Sequence, residues 1–233
     1  MSPDRGDAYG MNPDRGDAYG MNPDRGRESA AVTIGVLGTG GIAITLATMF
    51  ARAGHEVLLG SGTGGHGVTG VTGPKGEGGA IVTGGCCEEV VARSSVVVPA
   101  FLGVQGAVQQ LRPWRAGLRG KVLVDITNPF TGGHIDFVGP WAVGGTEDLA
   151  VAFPGARLVG AFKNVWWEAF DGYPDPAVPD IQVISDDAEA KRTFLRLCAA
   201  TPFTYVDAGG LDQARRVERM ALSGVSSAGV SAA

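Results

Sequence analysis

The sequence predicts an α/β fold: a doubly wound, mostly parallel sheet with a small C-terminal α/β extension. Three observations carry that expectation. Short β-rich runs alternate with helical patterns from residue 31 onward. The first run, VTIGVL, leads straight into a glycine-rich turn, and apolar residues make up 44% of the 233 positions, enough to cover a sheet on both faces.

Residues 1–30 precede that pattern and are a decapeptide written three times, MSPDRGDAYG, MNPDRGDAYG and MNPDRGRESA. Each copy is rich in Pro, Asp, Arg and Gly and has no Leu, Ile or Val to pack, so we expect a disordered tail. From there, strands are expected at Val32–Leu37, Glu56–Leu59, Ser95–Pro99, Val122–Ile126, Arg157–Phe162, Ile181–Ile184 and Phe203–Asp207. Helical patterns fall at Ile42–Ala53, Cys86–Ala92, Val104–Leu111, Asp187–Ala200 and Leu211–Ser223. Gly62–Gly79 breaks the rhythm, a glycine-rich loop standing where a helix should follow the second strand. The organisation expected is one domain over 31–223 with a flexible tail over 224–233.

Composition narrows the function. A net charge of -5 offers no basic surface to phosphate backbones, so no nucleic-acid partner is expected. The cysteines, Cys86, Cys87 and Cys198, make neither a zinc spacing nor a disulfide framework. No metal site is expected, and a reduced, cytoplasmic compartment fits. The N-terminus has no apolar core of the signal-peptide kind. The nearly uncharged run from Ala30 to Ala51 is broken by Gly35, Gly38, Gly40 and Gly41, so no membrane span is expected.

That run has a chemical reading instead. Val32–Leu37 enters Gly38-Thr39-Gly40-Gly41-Ile42-Ala43, then the helical ITLATMFARAG: G-x-G-x-x-A between a strand and a helix. Gly38 allows the tight turn, Gly40 lets the backbone approach a pyrophosphate, and Ala43 lets helix and strand pack closely. The helix N-terminus then offers free N–H groups and a positive dipole end to the phosphates. This is a Rossmann-type dinucleotide site in its required setting.

Several segments extend the pattern in one order: GTGGIAITLATMFARAGHEVLLGS, VLVDITNP (Val122–Pro129), LVGAFKNV (Leu158–Val165), VISDD (Val183–Asp187) and YVDAGGLDQARRVERM (Tyr205–Met220). Together they resemble the coenzyme F420-dependent NADP oxidoreductases over roughly Val32 to Met220. The resemblance implies hydride transfer between NADP(H) and the deazaflavin coenzyme F420, within a homodimer. By position it implies phosphate contacts at Gly38, Thr39, Gly40, Gly41 and Ile42 and an adenosine end at Ser61 and Gly62. The nicotinamide would lie along Pro99–Phe101 and Ala161, so Phe101 and Ala161 join the expected cofactor contacts. Such a transfer needs ring stacking and exclusion of water more than a protein acid or base.

The chain departs from that family at its selector. The residue after the serine of the second strand is typically arginine, followed by lysine, which clamp the 2′-phosphate; here the positions are Gly62 and His66. No Asp or Glu ends the strand to read a ribose hydroxyl. Three alternatives stay open: a weaker phosphate site from Ser61, Thr63 and Lys75, a loose loop that selects poorly, or a site that no longer takes NADP.

Other residues carry paired readings. Lys163 and Asn164 fall at a strand's C-terminal end, and Lys163 is the candidate catalytic residue, a proton donor or anion holder, against a merely solvated lysine. Trp166 and Trp167, followed by Glu168, read as a ring-stacking lid or as core and interface filling. His134 is a candidate proton donor or an exposed loop histidine, and His55 marks a structural turn. Asp171, Tyr173 and Asp175 read as surface groups rimming the site. Arg215, Arg216, Glu218 and Arg219 read as a mostly solvated helical face. Beside the F420:NADP reading stand a tailoring reductase of a C=C or C=N bond, which would also need a proton donor such as Lys163, His134 or Tyr173, and a non-catalytic nucleotide-binding module.

Overall fold

The computed structural model describes residues 32–62, 82–100, 106–130, 144–166 and 178–227. The aliphatic first run forms β1 (Thr33–Leu37), buried from Ile34 onward. A parallel neighbour requires a crossover, and α1 (Gly41–Arg52) supplies it before β2 (Glu56–Gly60). The order continues with β3 (Val82–Gly85), α2 (Cys87–Arg93), β4 (Val96–Pro99), α3 (Gly106–Leu111), β5 (Val122–Asp125) and α4 (Gly145–Ala152). It closes with β6 (Arg157–Gly160), β7 (Ile181–Val183), α5 (Ala188–Leu197), β8 (Tyr205–Asp207) and α6 (Ala214–Ser227).

Six strands make one sheet in the order β3-β2-β1-β4-β5-β6, with every named pairing parallel. The chain steps outward from β1 to β3, then returns to lay β4 on the other side of β1. That reversal is a topological switch point, where open α/β sheets receive ligands beyond the strands' carboxyl ends. The doubly wound class expected from the sequence is the one observed. The C-terminal extension is observed too: β7 and β8 pair in parallel around α5, and an antiparallel bridge from Gly160 to Ile184 joins them to the main sheet.

Both faces of the sheet are apolar, as crossover helices on two sides require. Ile34, Val36, Val57, Leu59, Val98 and Val124 point to one face and pack with Ala43, Leu46 and Phe50 of α1 and Phe194 of α5. Alternate residues Leu37, Leu58, Val97, Leu123 and Leu158 point to the other, against Val90 of α2, Leu111 of α3, Leu149 of α4 and Val217 of α6. His55 is buried at the α1–β2 turn, its Nε2 2.9 Å from Leu197 O, in keeping with a structural part.

The structure differs from expectation in several places. β3, with sequence VTGG, has too little β-forming side chain to read as a strand, and it forms because β2 offers it a full register from Val57 to Gly60. α4 is only 8 residues long and buries just Thr146 and Leu149, so its pattern is faint. α6 continues to Ser227, past the expected boundary at 223. β6 stops at Gly160 rather than Phe162 because Phe162 takes a left-handed backbone, φ 60°, which no strand accommodates.

Candidate functional site

At the switch point, the turn from β1 into α1 is drawn against the end of β4. Gly38 has φ 123°, its N–H donates to Gly60 O at 2.8 Å, and Ala100 N–H donates to Leu37 O at 2.8 Å. A Cβ on Gly38 would stand 2.6 Å from Ala100 O, so a side chain there would force turn and strand apart. Gly40 caps α1 with extended backbone and no side-chain hydrogen bond, and no acidic residue occupies the first turn. Thr39, Gly40 and Gly41 are exposed and Ile42 is half-buried, while Ala43 is fully buried against the sheet. An open helix N-terminus with unopposed dipole is suited to a pyrophosphate. The residues present therefore fit the phosphates of a dinucleotide.

The side that the resemblance assigns to the adenosine is built from the ends of β2 and β3. Ser61 N–H donates to Gly85 O at 3.0 Å, which fixes the half-buried serine beside the switch crevice. Gly62 follows with φ 53°, exposed, and among the described residues no heavy atom lies within 4 Å of where its Cβ would sit. Thr63, His66 and Lys75 lie outside the described residues, as do Phe101, His134, Trp167, Glu168, Asp171, Tyr173 and Asp175.

The opposite half of the crevice ends on β5 and β6. Ala161 is fully buried, its N–H donating to Asp125 O at 3.0 Å. Phe162, the one non-glycine with positive φ among the described residues, wedges its ring edge-on against Phe194 and Tyr205, with centroids 6.0 Å away in each case. Phe162, Lys163, Asn164 and Val165 are all buried. Asn164 is tied twice to the next segment, donating to Asp180 O at 2.9 Å and accepting from Gln182 N–H at 3.0 Å. The turn after β6 thus turns its side chains inward, and a strained conformation persists because its surroundings over-determine it.

Lys163 is corrected on its solvated reading: its side chain has 0% exposure. Its Nζ reaches Asp125 Oδ2 at 2.6 Å and Glu218 Oε1 at 3.3 Å, and it also donates to Thr127 O. Two of the ammonium's three N–H groups go to Asp125 and Thr127 O, and Glu218 adds an ion-pair contact. Thr146 Oγ1 donates to Asp125 Oδ2 at 2.7 Å, Gly145 N–H to Glu218 Oε1 at 2.8 Å, and Arg215 stands 3.2 Å from Glu218 Oε2. Burial pushes the Asp125 carboxyl up, but the charge and hydrogen bond of Lys163, with those of Thr127 and Thr146, outweigh it and hold the group below its ordinary value. At Glu218 burial prevails over Lys163, the Gly145 N–H and Arg215, and the carboxyl is raised.

The α6 face is corrected with it. Arg216 and Arg219 are exposed, but Arg215 and Glu218 are buried. The signal was present in the sequence: Leu211, Ala214, Val217 and Ala221 make an apolar stripe, and Glu218 falls on it, where a carboxylate needs a buried partner. Asp125, at the end of an apolar strand, carried the same message. Trp166 is an anchor to this helix, donating from Nε1 to Ala221 O at 2.8 Å with its ring 5.7 Å from Phe130.

Comparison with known proteins bears on this geometry. The family model for NADP oxidoreductases, coenzyme F420-dependent, matches residues 33–129, from β1 through the VLVDITNP segment. The chain is similar to this family over that stretch. The F420-dependent NADP reductase of Methanothermobacter thermautotrophicus is 28% identical over 194 residues, 78% of this chain and 83% of that protein. Metalloreductase STEAP3 of Rattus norvegicus is 30% identical over 197 residues, 82% of this chain; the chain spans 37% of that relative's length. A crystal structure of a candidate F420-dependent NADP-reductase from Arthrobacter sp. FB24 superposes with TM-score 0.66 at 25% identity, covering 82% of this chain and 90% of that one. An imine reductase from Myxococcus stipitatus shares the fold at TM-score 0.55 and 17% identity, over 85% of this chain and 60% of its own.

Among the described residues, no group of three or more His, Cys, Asp and Glu side chains is placed to hold a metal ion, and no helix is long and apolar enough to cross a membrane.

Proposed function

We propose that the chain transfers a hydride between NADP(H) and coenzyme F420, binding the dinucleotide across the β1/β4 switch point. The observation that carries this reading is the uncapped, exposed N-terminus of α1, held against β4 by a glycine with no room for a side chain. When bound, the nicotinamide supplies the hydride, and the deazaflavin takes it together with one proton from solvent.

The chain's own contribution is binding and orientation. Thr39, Gly40, Gly41 and Ile42 hold the phosphates through backbone N–H groups, Ser61 and Gly62 border the adenosine, and Ala161 floors the nicotinamide end. Transfer between two such rings would call on the chain for orientation rather than for a proton donor. The match to the F420-dependent NADP reductase of Methanothermobacter thermautotrophicus over 83% of its length supports F420 as the acceptor. A homodimer belongs to this reading and is checked by light scattering.

A second reading rests on the 30% identity to STEAP3, named a metalloreductase: the reduced dinucleotide would serve an acceptor other than F420. One experiment separates the readings. Purified protein is mixed with NADPH, NADH and reduced F420 separately, and binding and oxidation are followed, then with NADPH plus either oxidised F420 or a ferric chelate. Turnover with F420 supports the first reading, and turnover with the chelate alone supports the second. Binding without turnover under either acceptor leaves a nucleotide-binding module, and no binding at all ends the oxidoreductase reading.

A further inference from the structure

Asp125, Lys163, Arg215 and Glu218 meet in the interior at the carboxyl ends of β5 and β6. As stabilisers such charges are a poor choice. Removing water from each offsets most of their attraction, and apolar side chains of similar volume often hold the same space as well or better. A buried network does impose a fixed geometry, because each charged group accepts partners only in set directions.

Two segments are fixed here, one past each strand. Past β5, Asp125 Oδ1 accepts from the Thr127 N–H at 2.9 Å and from its hydroxyl at 2.6 Å, and Lys163 Nζ donates to Thr127 O. Residues 127–130, which leave the sheet from there, are half-buried. Past β6, the Ala161 N–H donates to Asp125 O at 3.0 Å, Phe162 holds φ 60°, and Lys163 O accepts from Asn128 Nδ2 at 3.0 Å. Lys163 therefore ties the two strand exits together from both its main chain and its ammonium. Glu218 comes to that ammonium from α6, at 3.3 Å, and is itself held by the Gly145 N–H at 2.8 Å and by Arg215 at 3.2 Å.

We infer that Glu218 is a positioning residue for hydride transfer: anchored by Gly145 and Arg215, it fixes Lys163, and through Lys163 the two strand exits at the nicotinamide end. This rests on the function proposed above, which sets the nicotinamide at that end of the sheet. Glu218 has 0% exposure, so it touches neither ring and acts only through the lysine. Transfer between two rings depends steeply on their relative placement, and a displacement on the order of 1 Å is enough to slow such a step.

The test is Glu218→Gln, which keeps the side chain's shape and an acceptor for the Gly145 N–H but removes the charge facing Lys163. Three quantities are measured: the NADPH dissociation constant by calorimetric titration, kcat with NADPH and oxidised F420, and amide hydrogen exchange of the free protein. We expect kcat to fall about tenfold or more, the dissociation constant to stay within about twofold, and exchange to quicken only over residues 125–130 and 160–166. A wild-type kcat, or a lowered kcat without faster exchange at the strand exits, overturns the inference. So does a joint loss of affinity and kcat with faster exchange throughout the chain, the mark of a merely structural residue. Glu218→Asp, which draws the charge back from Lys163 by one methylene, gives the same comparison if Glu218→Gln does not fold. If the wild-type protein does not turn over F420, the proposed function falls and this inference with it. If it does and the variant matches it, only the inference falls.

Discussion

Lys163 Nζ lies 2.6 Å from Asp125 Oδ2, and neither side chain has any exposure to solvent. Glu218 joins them from α6, so a single ammonium ties β5, the turn after β6 and the C-terminal helix. Replacing Lys163 with methionine leaves two buried carboxylates without their shared cation. We expect a loss of about 3–5 kcal/mol in unfolding free energy, measured by urea denaturation. A loss below about 1 kcal/mol would mean that the lysine is not held in this way.

Gly38 combines φ 123° with a Cβ position 2.6 Å from Ala100 O. Gly38→Ala therefore meets both backbone strain and a collision with the main chain of β4. The strain costs about 1–3 kcal/mol, and relief by widening the turn moves the N-terminus of α1. Calorimetric titration with NADPH should show affinity lowered at least tenfold by a change of this size. Unchanged affinity would separate this turn from the phosphates.

Gly62 stands where the resemblance places an arginine, and no heavy atom of the described residues lies within 4 Å of its Cβ position. Gly62→Arg would supply a charged fork for a 2′-phosphate. The left-handed backbone there, φ 53°, costs about 1–2 kcal/mol for any side chain but affects both cofactors alike. The ratio of NADH to NADPH dissociation constants should rise about tenfold, the yield of one charge-assisted hydrogen bond. A flat ratio would show that the 2′ position of the ribose lies elsewhere.

Asp187 caps α5, accepting from Glu189 N–H at 3.0 Å and Ala190 N–H at 2.9 Å, and pairs with Arg157 at 2.7 Å. The hydrogen bond from Arg157, with those from the helix, holds its carboxyl well below the usual carboxylate range. In acid the unfolded chain then binds the proton first, so this group's stabilisation is full above the ordinary carboxylate value of about 3.9 and fades as pH falls below it. Asp187→Ala should lose about 1 kcal/mol near neutral pH from the cap. Its melting temperature should also fall less steeply than the wild type's below about pH 4. Parallel acid limbs in the two proteins would remove Asp187 from the pH dependence.

The sequence by itself determined the fold class and the glycine turn between β1 and α1. Alternation of apolar runs and the strand-G-x-G-x-x-A-helix order act locally, through strand and helix periodicity and the steric demands of Gly38, so they are written in contiguous residues. What only the tertiary structure decided involves partners far apart along the chain. β3 exists because β2 offers it an edge, although VTGG alone has little strand propensity. Lys163 and Glu218 stand 55 positions apart in sequence, and only folding brings them to 3.3 Å. The same is true of Asn128, whose amide is oriented by a carbonyl 35 residues away. Burial decides what such polar groups do, because once water is removed each charge and each acceptor must find its partner within the fold or in a ligand.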